Sequence, residues 1–157
     1  MRDKKFIAQH CGGLLTKENH YLLIRWARVC SEHVLSLIGN DIDKRLVHAL
    51  LIAEEWENDN VPTGDAMKAS VAAHAVARET SNPVKTAVAR SIGHAVAAAH
   101  MADHSPGAAL YALKAMKLAG LPVDKEREWQ YKQLQQLPSE IVTLVLNTMM
   151  QKEKILV

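Results

Sequence analysis

Residues 91–104 read SIGHAVAAAHMADH. Five alanines among fourteen residues make the stretch helix-forming, because alanine loses no side-chain entropy in a helix. Its small side chain also lets two helix backbones approach closely. The bias spreads outward: seventeen alanines fall between Ala66 and Ala115, over what read as the third, fourth and fifth helices. Gly93 lies inside the fourth, where glycine costs about 1 kcal/mol against alanine and so calls for a compensating close contact. These residues predict the tightly packed, Ala-rich central helix pair of an all-α fold.

Around this centre the sequence punctuates helix after helix. Thr16 caps a first helix reaching about Ile38, with Leu22, Trp26, Val29, Cys30 and Leu37 at three- and four-residue steps and Gly39–Asn40 as its stop. Asp41 or Asp43 caps a second, whose inner face is Leu46, Ala49, Leu50, Ala53 and Trp56. A third runs from Thr63 or Gly64 to about Thr80. Asn82–Pro83 opens the fourth, expected to continue to about Asp103, since an amide cap followed by proline suits a first turn. Ser105–Pro106 opens a fifth ending at Gly120, Asp124 caps a sixth to about Gln136, and Pro138–Ser139 opens the last. Residues 1–15 read as irregular chain with a turn at Gly12–Gly13, and no segment alternates as a strand would. The expectation is one compact bundle of about seven helices, antiparallel to their neighbours, spanning residues 1–157 as a single domain.

Composition narrows the function classes. At 157 residues the chain can bury one core, and with 4% aromatic residues that core must be aliphatic. A formal charge of +2 without a clustered basic stripe gives no case for nucleic acid. No run of about 18 apolar residues suggests a membrane span. MRDKKFIAQHCGG lacks the apolar stretch of a secretory signal. Cys30 falls in an apolar pattern and Cys11 does not, so a reduced, cytoplasmic protein is the simplest reading, with a disulfide as the other option.

The histidines carry the candidate chemistry. On a straight helix, at about 1.5 Å rise and 100° per residue, His94 and His104 are about 15 Å apart while His100 and His104 share one side. Ile92, Val96 and His100 form one four-step row, which places His100 on a core-facing or border stripe. A zinc site would need further ligands from elsewhere, for which His74, with Asp103 or Glu79 as oxygen donor, is the natural source. Acid–base catalysis would suit an imidazole titrating near neutrality, yet no nucleophile is identifiable nearby. G-x-S-x-G, P-loop and H-E-x-x-H motifs are absent, and HMADH shares only the histidine spacing of the last. A packing and hydrogen-bonding role is therefore preferred, with no catalytic residue, metal or cofactor assigned. The alternative is a small metal-dependent or histidine-using enzyme in which His74, His100 and His104 converge between the third and fourth helices.

Glu54, Glu55 and Glu57, with Asp59, surround Trp56 at the end of the second helix, where carboxylates oppose the helix dipole. They read either as a solvated helix end or as an acidic docking edge for a basic partner. Tyr21, Tyr111 and Tyr131 could anchor a partner or sit at the core edge. Self-association would be favoured if the apolar face from Ile141 to Met149 stayed exposed.

Four segments resemble a bacterial family of immunity proteins, the immunity-protein-5-like group. They are GGLLTKENHYLLIRWARVCSEHVL from Gly12, VPTGDAMKASVAAHAVARET from Val61, GHAVAAAHMADHSPGAALYALKAM from Gly93 and WQYKQLQQLPSEIVTLVL from Trp129. The third is the most specific, and the acidic Glu54–Asp59 segment departs from the pattern. The resemblance implies a helical cytoplasmic protein, not an enzyme, that neutralises a cognate toxin domain by stoichiometric occlusion. It also makes His74, Arg78, His94, His100, Asp103 and His104 binding candidates, and a homo-oligomer remains open.

Overall fold

Seven α-helices account for most of residues 2–157, the part of the chain described by the computed structural model. α1 (Lys17–His33), α2 (Lys44–Glu57), α3 (Thr63–Glu79), α4 (Pro83–Ala97), α5 (Ser105–Leu118), α6 (Val123–Leu134) and α7 (Ser139–Leu156) follow one another through short connections. The all-α class and the helix count are as expected. Ahead of α1 the chain makes two short 3₁₀ turns and one isolated parallel bridge, Ala8–Leu15. No described helix is long and apolar enough to cross a membrane.

The helix starts follow their capping chemistry. Thr16 Oγ1 accepts the Asn19 N–H at 3.2 Å, Asp43 Oδ1 accepts that of Arg45 at 2.9 Å, and Asn82 Oδ1 accepts those of Val84 and Lys85. Each satisfies a donor that the first turn leaves without an intrahelical partner. Asp124 does not cap α6; Pro122 holds that position, and Asp124 lies in the first turn bonded to Arg127 at 2.6 Å. There its charge still complements the positive end of the helix dipole.

Helix ends depart further from expectation. α1 stops at His33, and Leu35–Ile38 continue as a 3₁₀ turn before Gly39. α4 stops at Ala97 instead of Asp103. Beyond it the bonds tighten, with Ala99 N–H on Val96 O and His100 N–H on Ala97 O, and Met101 is extended. The cause lies outside the helix. α5 must fold back along α4, Pro106 cannot continue an α-helix, and His20 of α1 donates from Nε2 to the Ala98 carbonyl at 2.6 Å, taking up an acceptor at the end of α4.

α4 touches α1, α2, α3 and α5 and forms the centre. One apolar core joins its Val88, Ile92 and Val96 to Leu46 and Leu50 of α2 and Ala73 and Val76 of α3. A second, richer in leucine, joins α1 and α5 to α6 and α7 through Leu23, Leu113, Leu134 and Val145. Between them α1, α4 and α5 meet on three fully buried alanines, Ala27, Ala95 and Ala108. Beside this junction Ser91 Oγ donates to the Ala108 carbonyl at 2.7 Å and lies 2.8 Å from Ser31 Oγ, which also reaches the Ala27 carbonyl. Buried hydroxyls thus bridge three helices with no side chain larger than serine.

Two apolar readings resolve here. Cys30 is fully buried and Cys11 exposed, and neither is paired. Ile141, Val142, Leu144, Val145 and Met149 of α7 are buried within the chain, so the exposed face that would have favoured a self-associating module does not exist.

Asn82→Ala, which removes the α4 cap, is expected to lower unfolding stability by about 1 kcal/mol. Urea titration measures this, and an unchanged midpoint would mean the cap is energetically idle.

Candidate functional site

The early end of α4 brings together what a straight helix would separate. Because the chain turns back after Ala97, His104 at the start of α5 lies against His94, with Nδ1 to Nδ1 at 3.0 Å. His74 of α3 meets His94 edge-on at 5.3 Å between ring centroids. Tyr111 of α5 stacks on the far side of His94 at 5.2 Å. Arg90, one helical turn before His94, donates from Nη1 to His74 Nδ1 at 2.7 Å. His74, His94 and His104 thus form one row across α3, α4 and α5.

Two glycines make room for this row. A Cβ on Gly93 would stand 2.6 Å from His74 Nε2, and one on Gly107 would stand 3.1 Å from His94 Nδ1. Each imidazole therefore lies over a glycine of the next helix. This is the close contact that Gly93 called for.

The rings are held neutral. Burial, then Arg90, His104 and Arg78, pushes His74 down to about 4. Burial, then the neighbouring histidines, Arg90 and Lys152, pushes His94 down to about 3. His104 is also lowered, mainly by burial, with Asp103 opposing. At neutral pH one ring of the His94–His104 pair donates a proton that the other accepts, and His74 accepts from Arg90 while keeping its own proton on Nε2.

His100 does not join them. It is exposed, not on a core stripe, because the helix that would have turned it inward ends three residues earlier. The expected convergence of His74, His100 and His104 is absent, and among the described residues no three His, Cys, Asp or Glu groups could hold a metal ion. Instead His100 lines an open cleft of about 870 Å³ between the N-terminal segment, the start of α1 and the α2–α3 turn. There Trp56 packs against His20 at 4.7 Å and Tyr21 at 5.0 Å. Trp56 is only partly buried, its Nε1 donating to Thr63 Oγ1.

Of the remaining candidates, Asp103 pairs with Arg2 at 3.0 Å, and Arg78 is exposed on α3. The acidic edge divides: Glu54 is exposed and Glu55 half-buried, but Glu57 is buried and turned inward. Its carboxylate accepts a two-pronged bond from Arg28 Nε and Nη2, at 2.9 and 2.8 Å, and a further one from Arg25. It cannot meet a basic partner, because α1 already supplies its countercharges. Sequence reasoning missed Arg90, although its four-residue spacing from His94 was readable. It also missed Lys152, which reaches the row from α7 across a distance no local pattern records.

Residues 13–137, well over half of the chain, match the family described as "Imm-5 like putative immunity protein". No curated protein and no solved structure matches.

Gly93→Ala is expected to destabilise the protein in spite of alanine's better helix propensity, since the added methyl must displace a ring held by Arg90 and His94. In a His74→Ala background the same change should stabilise by about 0.5–1 kcal/mol. Equal effects in both backgrounds would show that the ring and the glycine are uncoupled. Acid should also weaken the fold. Unfolded histidines titrate near pH 6.5, so on acidification the unfolded chain takes up protons that folded His74 and His94 refuse until about pH 4 and 3. Stability is complete above about pH 6.5 and falls below it, by up to about 1.4 kcal/mol per pH unit for each such histidine. Urea midpoints between pH 7.5 and 4.5 measure the slope, and His74→Gln with His94→Gln should flatten it.

Proposed function

The chain belongs to the Imm-5-like family of immunity proteins, and from that premise we propose that it binds a cognate bacterial toxin domain and neutralises it by stoichiometric occlusion, without catalysis. The family match over residues 13–137 is the observation that carries this reading. The state of the histidines supports it. A general base works best when it titrates near the working pH, whereas His74 and His94, at about 4 and 3, are poorly matched to neutral solution. His74 Nδ1 is engaged with Arg90 and His94 Nδ1 with His104, an arrangement suited to holding helices in place.

Occlusion asks for a stiff surface, because each group that must be ordered on binding subtracts from affinity. Here His94 sits on α4 and His104 at the start of α5, two of the helices locked at an alanine junction. His74, His94 and His104 shape that surface, and Arg78, His100 and Asp103 border it. The two unpaired cysteines fit action in the reducing cytoplasm of the producing cell.

Co-expression with the toxin encoded beside this chain tests the reading. Growth should be restored, and the two proteins should co-migrate as a stoichiometric complex on a sizing column. Continued toxicity with no complex would refute it.

A further inference from the structure

Charge is distributed unevenly over the surface. Of the seven arginines in the chain, Arg2, Arg25, Arg28, Arg45 and Arg127 each pair with a carboxylate. Among the described residues only Arg78 and Arg90 do not; Arg90 bonds to His74 in the histidine row, and the charge of Arg78 also acts on His74. Arg90 spends one nitrogen on a neutral imidazole. The charge of Lys152 on α7 acts on His94 and His104. Lys114 lies 5.9 Å from the centre of the Tyr111 ring, which stacks on His94. Neither lysine has a salt bridge among the described residues. The one carboxylate acting on the row, Asp103, is already held by Arg2.

From this we infer that the face formed by Arg78, Arg90, Lys114 and Lys152 around the histidine row docks a carboxylate-rich segment of a protein partner. The inference rests on the toxin-binding reading and gives it a surface and a partner chemistry. A half-buried guanidinium with unused donors matches a carboxylate fork. Clustered surface cations that have no salt bridge within the chain attract an acidic group from outside. A protein segment fits better than nucleic acid, because four cations around one histidine row are too few and too compact for the extended basic stripe that tracks a nucleic-acid backbone.

The test uses the full chain and a fluorescent hexa-aspartate peptide, with a hexathymidylate oligonucleotide in parallel. Hexa-aspartate should bind, weaken as salt is raised, and lose about tenfold or more in affinity with Arg90→Gln. Arg78→Glu and Lys152→Glu, at exposed positions that leave the packed rings in place, should weaken it likewise. Lys125→Glu, at an exposed position on α6, makes the same net charge change and should bind as wild type. No peptide binding, equal loss with Lys125→Glu, or tighter binding of the oligonucleotide would overturn the inference. The co-expression assay separates this outcome from that of the functional reading. Wild type that protects, with Arg78→Glu and Lys152→Glu protecting equally well, would remove this surface and leave the function standing. Wild type that fails to protect while still binding the peptide would do the reverse.

Discussion

The structure depends on how closely α4 approaches its neighbours. At the α1–α4–α5 junction the contact is alanine on alanine, and at the α3–α4 and α4–α5 seams it is an imidazole over a glycine. Helices packed this tightly leave no space for a longer side chain at the point of contact. The His74 ring thus fills the space that a methyl on Gly93 would need, and the His94 ring leaves Gly107 little more. Tight packing buries the rings, burial keeps them neutral, and neutrality makes the His94–His104 hydrogen bond possible, because two protonated rings would have only donors to offer.

The same economy governs the charges. A carboxylate in the interior costs several kcal/mol unless it is paired and bonded, and the two buried ones both are. Glu57 is held by Arg28 and Arg25, and Glu126 lies 2.5 Å from Nδ1 of His33, whose ring stacks on Trp129. These pairs tie α2 and α6 to α1 and use up carboxylates and arginines together. The outcome is a molecule whose two buried carboxylates are bonded to α1, while Arg90 beside the histidine row has no carboxylate partner. Glu57, which reads in the sequence as part of an acidic edge, serves as an internal staple.

Much of the fold was legible because helix starts are local events. Thr16, Asp43 and Asn82 cap as written, since a side chain two or three residues from its target needs nothing from the rest of the protein. Helix ends were less so. Nothing in AVAAAHMADH says stop, and α4 ends at Ala97 because α5 must reverse against it and His20 of α1 takes up the Ala98 carbonyl. That six-residue error carried the site with it. On a continuous helix His100 and His104 are partners, whereas with the reversal His94 and His104 are, and His100 is left in solvent. Glu57 was misread for a related reason: its spacing places it at the end of the inner face, but only the packing of α1 supplies the two arginines that turn it inward.

One arrangement thus has two consequences. Around the histidine row the chain places Arg78, Arg90 and Lys152 and, on the opposing side, only an aspartate already committed to Arg2. With no free carboxylate to favour the imidazolium, the buried rings stay uncharged, which makes the fold sensitive to acid. With none bonded to the Arg90 guanidinium, the face keeps a positive charge that an outside anion can complete. A carboxylate placed beside His94 would relieve the first effect and abolish the second. The acid sensitivity and the recognition surface have the same physical origin, and a substitution that repaired one would be expected to cost the other.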